Sequence, residues 1–113
     1  IFREPLMASR IPGPLYFEQQ GSTGMGMVFL HSTPDDLRFW MYQQAHFSAW
    51  YRTIAIDAAG YGRSPAAQPG VTMADQAWAH WEAVDRVTTG PVIIHGNSMG
   101  SLTARLMALQ RPE

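Results

Sequence analysis

Ser98 lies midway between two glycines in Gly96-Asn97-Ser98-Met99-Gly100. A serine hydroxyl is a weak nucleophile until a base takes its proton, after which it can attack an acyl carbon and form a covalent acyl-serine. The G-x-S-x-G spacing suits that chemistry for a steric reason. A sharp strand-to-helix turn strains the backbone of the central residue, and side chains two positions away on either side would collide. Such a turn lifts the hydroxyl to a helix N-terminus, where the dipole favours developing negative charge. The same residues admit a second reading, in which Ser98 is an ordinary N-cap and no chemistry follows.

The turn needs a strand before it and a helix after it. Val92, Ile93 and Ile94 form a β-branched apolar run behind Pro91, which predicts a buried strand of the parallel type. Leu102, Leu106 and Leu109 recur at helical spacing, with Ala104, Met107 and Ala108 around them and Arg105 and Arg111 outside. Leu102, Leu106 and Leu109 are therefore the expected buried face.

Upstream, Leu15–Glu18 is a candidate first strand, closed by the glycine-rich turn from Gly21 to Gly26. Met27–His31 is a second, and a helix is expected from about Asp36 to His46 after turn and cap residues at 32 to 36. Thr53–Asp57 is the next strand, running into a loop from Ala58 to Gly70. A further helix starts at Thr72, where Thr72 and Asp75 have capping-box spacing. Its expected buried face is Ala74, Ala77, Trp78, Trp81 and Val84, with Asp75, Glu82 and Arg86 outside; the two tryptophans read as core. Strands alternating with helices imply parallel pairing and an α/β fold. Residues 1 to 14 carry three prolines and no periodicity, and read as irregular. Met7-Ala8-Ser9 reads as a natural start, with residues 1 to 6 upstream of it.

Composition narrows the partners. The 113 residues are 46% hydrophobic and 15% charged, a globular balance, with a net charge of −1. That charge gives no electrostatic case for nucleic acid or an anionic membrane. No apolar run is long enough to span a bilayer, and residues 1 to 14 lack the apolar core of a signal peptide. The chain has no cysteine, which excludes disulfides and thiolate metal sites and suits a reducing, cytoplasmic setting. Neither a metal nor a cofactor is expected.

Three segments stand in an order that resembles the α/β-hydrolase superfamily. His31-Ser32-Thr33-Pro34 is similar to its H-G-x-P oxyanion loop. Asp57-Ala58-Ala59-Gly60-Tyr61-Gly62-Arg63-Ser64 is similar to its D-x-x-G-x-G-x-S segment, and Gly96 to Gly100 to its nucleophile elbow. The resemblance runs from about Leu15 onward, so residues 15–113 are expected to be the N-terminal half of such a domain. It would be a partial sheet of mostly parallel strands with flanking helices, ending before the strand that follows the elbow helix. The resemblance implies that Ser98 is the nucleophile and that the backbone N–H groups of Met99 and Thr33 form an oxyanion hole. His31, Ser32, Gly96 and Gly100 would shape the site, and Asp57 and the 60–64 turn would position the loop. Gly60-Tyr61-Gly62 lacks the third glycine and following helix of a phosphate cradle. One departure stands out: Ser32 occupies a position where glycine is usual, which narrows the loop's conformational choice.

The resemblance places the catalytic acid and histidine after the nucleophile, beyond residue 113. Of the histidines present, His95 belongs to the strand entering the elbow, His46 closes a helix, His80 is expected on the polar side of another, and His31 shapes the oxyanion loop. None reads as the base for Ser98. Without it the 113 residues alone are expected to be close to inert. Two functions are carried forward. One is an esterase-like serine hydrolase of a small-molecule substrate, a reading that does not separate ester hydrolysis from C–C bond hydrolysis, peptidase action or cofactor-free haloperoxidase chemistry on the same scaffold. The other is a non-catalytic module that associates with itself or with another chain through a strand edge left unpaired beside residues 92 to 95. A receptor built on the same fold is a third reading, and it would also require more chain to close a pocket.

Overall fold

The computed structural model describes residue 11 and residues 13–112. Most of the irregular segment expected over residues 1 to 14, including the start read at Met7, lies outside the described residues. Strands β1 (Phe17–Gln20), β2 (Gly26–Leu30), β3 (Arg52–Ile56) and β4 (Val92–Gly96) form one sheet in the order β1-β3-β2-β4. The elements that follow are a 3-10 turn over Leu37–Trp40 and helices α1 (Met41–Phe47), α2 (Met73–Asp85) and α3 (Met99–Gln110). Strands β2, β3 and β4 run parallel, while β1 is antiparallel to β3. The mostly parallel α/β architecture expected from the sequence is therefore present. Among the described residues, no helix is long and apolar enough to cross a membrane.

The register is what builds the site. Leu30 faces Ile56 on one side and Gly96 on the other, so the three parallel strands end level. The chain that leaves each of them, at His31, Asp57 and Asn97, therefore emerges at the same edge. In open α/β sheets, ligands bind at that carboxyl edge.

β2 is buried along its whole length, and Ile54, Ala55 and Ile56 of β3 are fully buried beside it. Such strands carry helices on both faces and read as continuous apolar runs. On one face, Val28, Leu30, Ile54 and Ile56 pack against Ala77, Trp81 and Val84 of α2 and Met107 of α3. On the other, Met27, Phe29 and Ala55 pack against Leu37, Trp40 and Phe47. Trp81 ties the two long helices together: its Nε1–H donates to the Met107 carbonyl (3.1 Å), and the Arg111 guanidinium lies 4.1 Å over its ring.

Several expectations are corrected. The first strand is Phe17–Gln20, and Leu15 is instead a buried core residue outside any strand. Tyr16 is held by Ser64 and Asp57: its N–H donates to Ser64 Oγ (2.8 Å), and its carbonyl accepts the Asp57 N–H (2.9 Å). The helix expected from Asp36 to His46 divides into the 3-10 turn and α1. Its start is pinned by two carboxylates, Asp36 accepting from the Arg38 N–H and Asp57 accepting from the Leu37 N–H.

On α2 the Thr72–Asp75 capping box forms as expected, but the buried face includes Asp75 and His80, and Ala74 is exposed. The reason is geometric, since α2 packs on both the sheet and α3 and so buries a wider arc than one stripe. His80 is therefore an interior residue, not a polar-side one. Its Nδ1–H donates to the Gln76 carbonyl at 2.7 Å.

On α3 the buried residues are Gly100, Thr103 and Met107; Leu106 is half-buried, while Leu102 and Leu109 are 51% and 77% exposed. Close approach at Gly100 sets this rotation. A Cβ there would lie 2.8 Å from the His31 carbonyl oxygen and closer still to that of Leu30. The face that carries Gly100 must then turn to the sheet, which brings Thr103 and Met107 inward and leaves Leu102 and Leu109 outside.

Candidate active site at the carboxyl edge of the sheet

Ser98 has φ 57° and ψ −115°, and among the described residues it is the one non-glycine with positive φ. Such a conformation costs on the order of 1–3 kcal/mol and persists only when its surroundings over-determine it. Here they do. A Cβ on Gly96 would fall 2.7 Å from the Ser101 Cα and nearer to the Gly100 carbonyl, so both flanking glycines are sterically required. The turn is closed by Asn97 N–H to Leu30 O (3.2 Å), Gly100 N–H to Asn97 O (3.0 Å) and Ser101 N–H to Ser98 O (2.9 Å). Ser98 itself is exposed and its side chain makes no capping hydrogen bond, so the N-cap alternative loses its usual geometric support.

The His31–Pro34 loop stands beside this turn. Thr33 Oγ1 donates to the thioether sulfur of Met99 at 2.9 Å, so the two residues assigned to the oxyanion hole are in contact. Around them, the N–H groups of Asp35, Asn97, Gly100 and Ser101 are all bonded. Those of Thr33 and Met99 have no protein acceptor among the described residues. Two main-chain donors without a protein acceptor thus lie on adjoining loops, in residues that touch through their side chains, one of them directly after the exposed Ser98.

Ser32, the departure from glycine, is accommodated without distortion. Its hydroxyl donates to Asp35 Oδ2 (2.9 Å), and its carbonyl accepts the Asp35 N–H (2.8 Å). The side chain thus stabilises the turn that carries Thr33.

His31 is 1% exposed and both its nitrogens are engaged. Nδ1–H donates to the Ser32 carbonyl (2.9 Å), and Nε2 accepts the Ala58 N–H (3.0 Å). It welds the loop after β2 to the loop after β3 and has no nitrogen left for Ser98. The other histidines are held differently: exposed His46 packs on the Phe47 and Trp50 rings, His95 stacks on Phe29 (5.2 Å) with its Nε2 buried and without a hydrogen-bond partner, and His80 is buried in α2.

Asp57 anchors the same framework. It is 2% exposed, and its Oδ1 accepts from the Leu37 N–H (2.7 Å) while Oδ2 accepts from the Arg63 N–H (2.9 Å). Ser64 closes the loop by donating to the Asp57 carbonyl at 2.6 Å. Tyr61, placed by this loop, brings its hydroxyl to 3.3 Å from Thr33 Oγ1 and its ring against that of His31 (5.4 Å, edge-on). Sequence reasoning treated the 60–64 turn as scaffolding and missed the Tyr61 hydroxyl; its one signal was a large polar aromatic held between two glycines.

Among the described residues, no group of three or more His, Cys, Asp or Glu is arranged to hold a metal ion.

The chain belongs to the alpha/beta hydrolase fold family, with residues 27–113 matching. It is 33% identical over 99 residues to an (E)-2-((N-methylformamido)methylene)succinate hydrolase of Acinetobacter baylyi, a match covering 87% of this chain and 36% of that protein. It superposes on an esterase from Exiguobacterium antarcticum with a TM-score of 0.76 at 31% identity, covering 86% of this chain and 36% of the esterase. Against the epoxide hydrolase VrEH1 from Vigna radiata the TM-score is 0.82 at 25% identity, covering 92% and 35%. The chain thus spans little more than a third of the length of the relatives it matches, and those relatives are hydrolases.

Proposed function

We propose that these residues form the nucleophile and oxyanion half of an esterase-like serine hydrolase acting on a small-molecule ester. The observation that carries this reading is the strained, exposed Ser98 beside two unbonded N–H groups, on Met99 and Thr33. Ser98 Oγ attacks the acyl carbon as its proton passes to a base. The carbonyl oxygen gains charge between the two donors, and the alkoxide leaves with the proton. Water then releases the acid and restores Ser98. We place the base and its carboxylate partner in sequence beyond residue 113: His31 is bonded through both nitrogens, buried His80 is bonded to the Gln76 carbonyl, and the rings of His46 and His95 pack on Phe47 and Phe29. Relatives of both esterase and epoxide hydrolase kinds are similar to this chain. A serine at the elbow favours acyl transfer over the branches of the superfamily that use an aspartate nucleophile. A cytoplasmic setting is consistent with a cysteine-free chain.

A second reading, association without catalysis, has one observation in its favour. β4 is an edge strand, only half-buried, and Leu102 and Leu109 of α3 are exposed nearby. Such an edge pairs readily with another chain.

Treating the 113-residue chain and a version extended through the downstream reading frame with a fluorophosphonate separates the two. Labelling of Ser98 in the extended form alone supports the hydrolase. A downstream frame without Asp and His, together with a 113-residue chain that is a dimer in sedimentation, supports association.

A further inference from the structure

The Thr33 hydroxyl has a role that its backbone N–H does not exhaust. It is an exposed donor at the mouth of the site, and its proton rests on a thioether, one of the weakest acceptors a protein offers. Because that proton is committed to Met99 Sδ, the 3.3 Å contact with Tyr61 has the Tyr61 O–H donating to Thr33 Oγ1. Tyr61 is in turn held edge-on by His31, whose two nitrogens are fixed by Ser32 and Ala58. The result is a relay with one loose end, in which Tyr61 O–H donates to Thr33 and Thr33 O–H points to a partner it can give up cheaply.

We propose that the Thr33 hydroxyl is a third donor to the oxyanion, exchanging the Met99 sulfur for the substrate oxygen as charge develops, with Tyr61 as the positioning residue that orients it. The inference rests on the serine-hydrolase reading above. Hydrogen bonds to charged acceptors are roughly twice as strong as those between neutral groups. The exchange is therefore weakly favoured by a neutral ester carbonyl and strongly by the tetrahedral oxyanion. That difference raises kcat without tightening substrate binding.

The test uses the full-length protein hydrolysing p-nitrophenyl butyrate, with wild type and Ser98→Ala measured first. Activity that survives Ser98→Ala refutes the serine reading, and the present inference with it. With that reading standing, Thr33→Val keeps the backbone N–H and the β-branched shape but removes the hydroxyl. The expected result is a kcat at least about tenfold lower, as for loss of one oxyanion-hole donor, with KM within about threefold. Thr33→Ser restores most of it, and Tyr61→Phe lowers kcat by a smaller factor at constant KM. A Thr33→Val enzyme with near-wild-type kcat, or a Thr33→Ser enzyme as slow as Thr33→Val, overturns the proposal.

Discussion

Replacing Gly100 with alanine tests how closely the elbow helix must approach β2. The new Cβ would sit 2.8 Å from the His31 carbonyl oxygen, where an ordinary carbon–oxygen contact is roughly 3.3–3.6 Å. Helix α3 must therefore retreat by about 0.5–0.8 Å, and further to clear the Leu30 carbonyl, because every obstructing atom is backbone and none can rotate away. Overpacking of this kind costs about 1–3 kcal/mol, partly offset by the ~1 kcal/mol by which alanine is the better helix former. The net loss of stability is then modest, about 0–2 kcal/mol. Catalysis should suffer more, because Ser98 and Met99 ride on α3 while Thr33 rides on β2, and a misplacement of about 1 Å can cost 10²-fold. The full-length protein is assayed with p-nitrophenyl butyrate, and its stability by urea unfolding. The expected outcome is a 10- to 100-fold fall in kcat (~10–100) with a small shift in urea midpoint. A variant with both parameters unchanged would refute the claim that this contact sets the spacing of the site.

Asp57→Asn leaves one carbonyl oxygen for two N–H donors, those of Leu37 and Arg63. One is left facing an NH₂ group, so stability should fall by about 1–3 kcal/mol, read as a lower urea midpoint; an unaltered midpoint would contradict the anchoring role. Burial, the largest cause, pushes the His80 pKa down from 6.5 to about 4. A histidine held neutral in the fold contributes stability that is complete above the unfolded value of 6.5 and lost as pH falls toward about 4. The gap amounts to roughly 3 kcal/mol, so wild type should lose more stability than His80→Gln between pH 7.5 and 4.5. Parallel pH curves for the two would show that His80 does not titrate in this way.

The sequence made the elbow legible because its constraint is local. Gly96, Ser98 and Gly100 act on backbone atoms a few residues away, and a strand-to-helix change of period marks the bend. The capping box at Thr72 was legible for the same reason. Helix rotation was not. Leu102 and Leu109 have the periodicity of a buried stripe, yet the approach of Gly100 to the Leu30 and His31 carbonyls turns Thr103 and Met107 inward instead. His80 was misplaced because α2 contacts two neighbours, and a single-stripe pattern allows for one. Tyr61 reaches Thr33 across 28 positions of sequence, a distance no spacing rule spans. The commitment of both His31 nitrogens likewise depends on Ala58, on a separate strand's loop.

The central claim is that a strained bend presents the Ser98 hydroxyl to main-chain donors on Met99 and Thr33. A crystal structure of the full-length protein after reaction with a phosphonate ester tests it most directly. The account predicts phosphorus bonded to Ser98 Oγ and one phosphonyl oxygen about 2.7–3.1 Å from both N–H groups. An unmodified Ser98 turned into the interior, or an adduct whose oxygen points to bulk solvent, would contradict it.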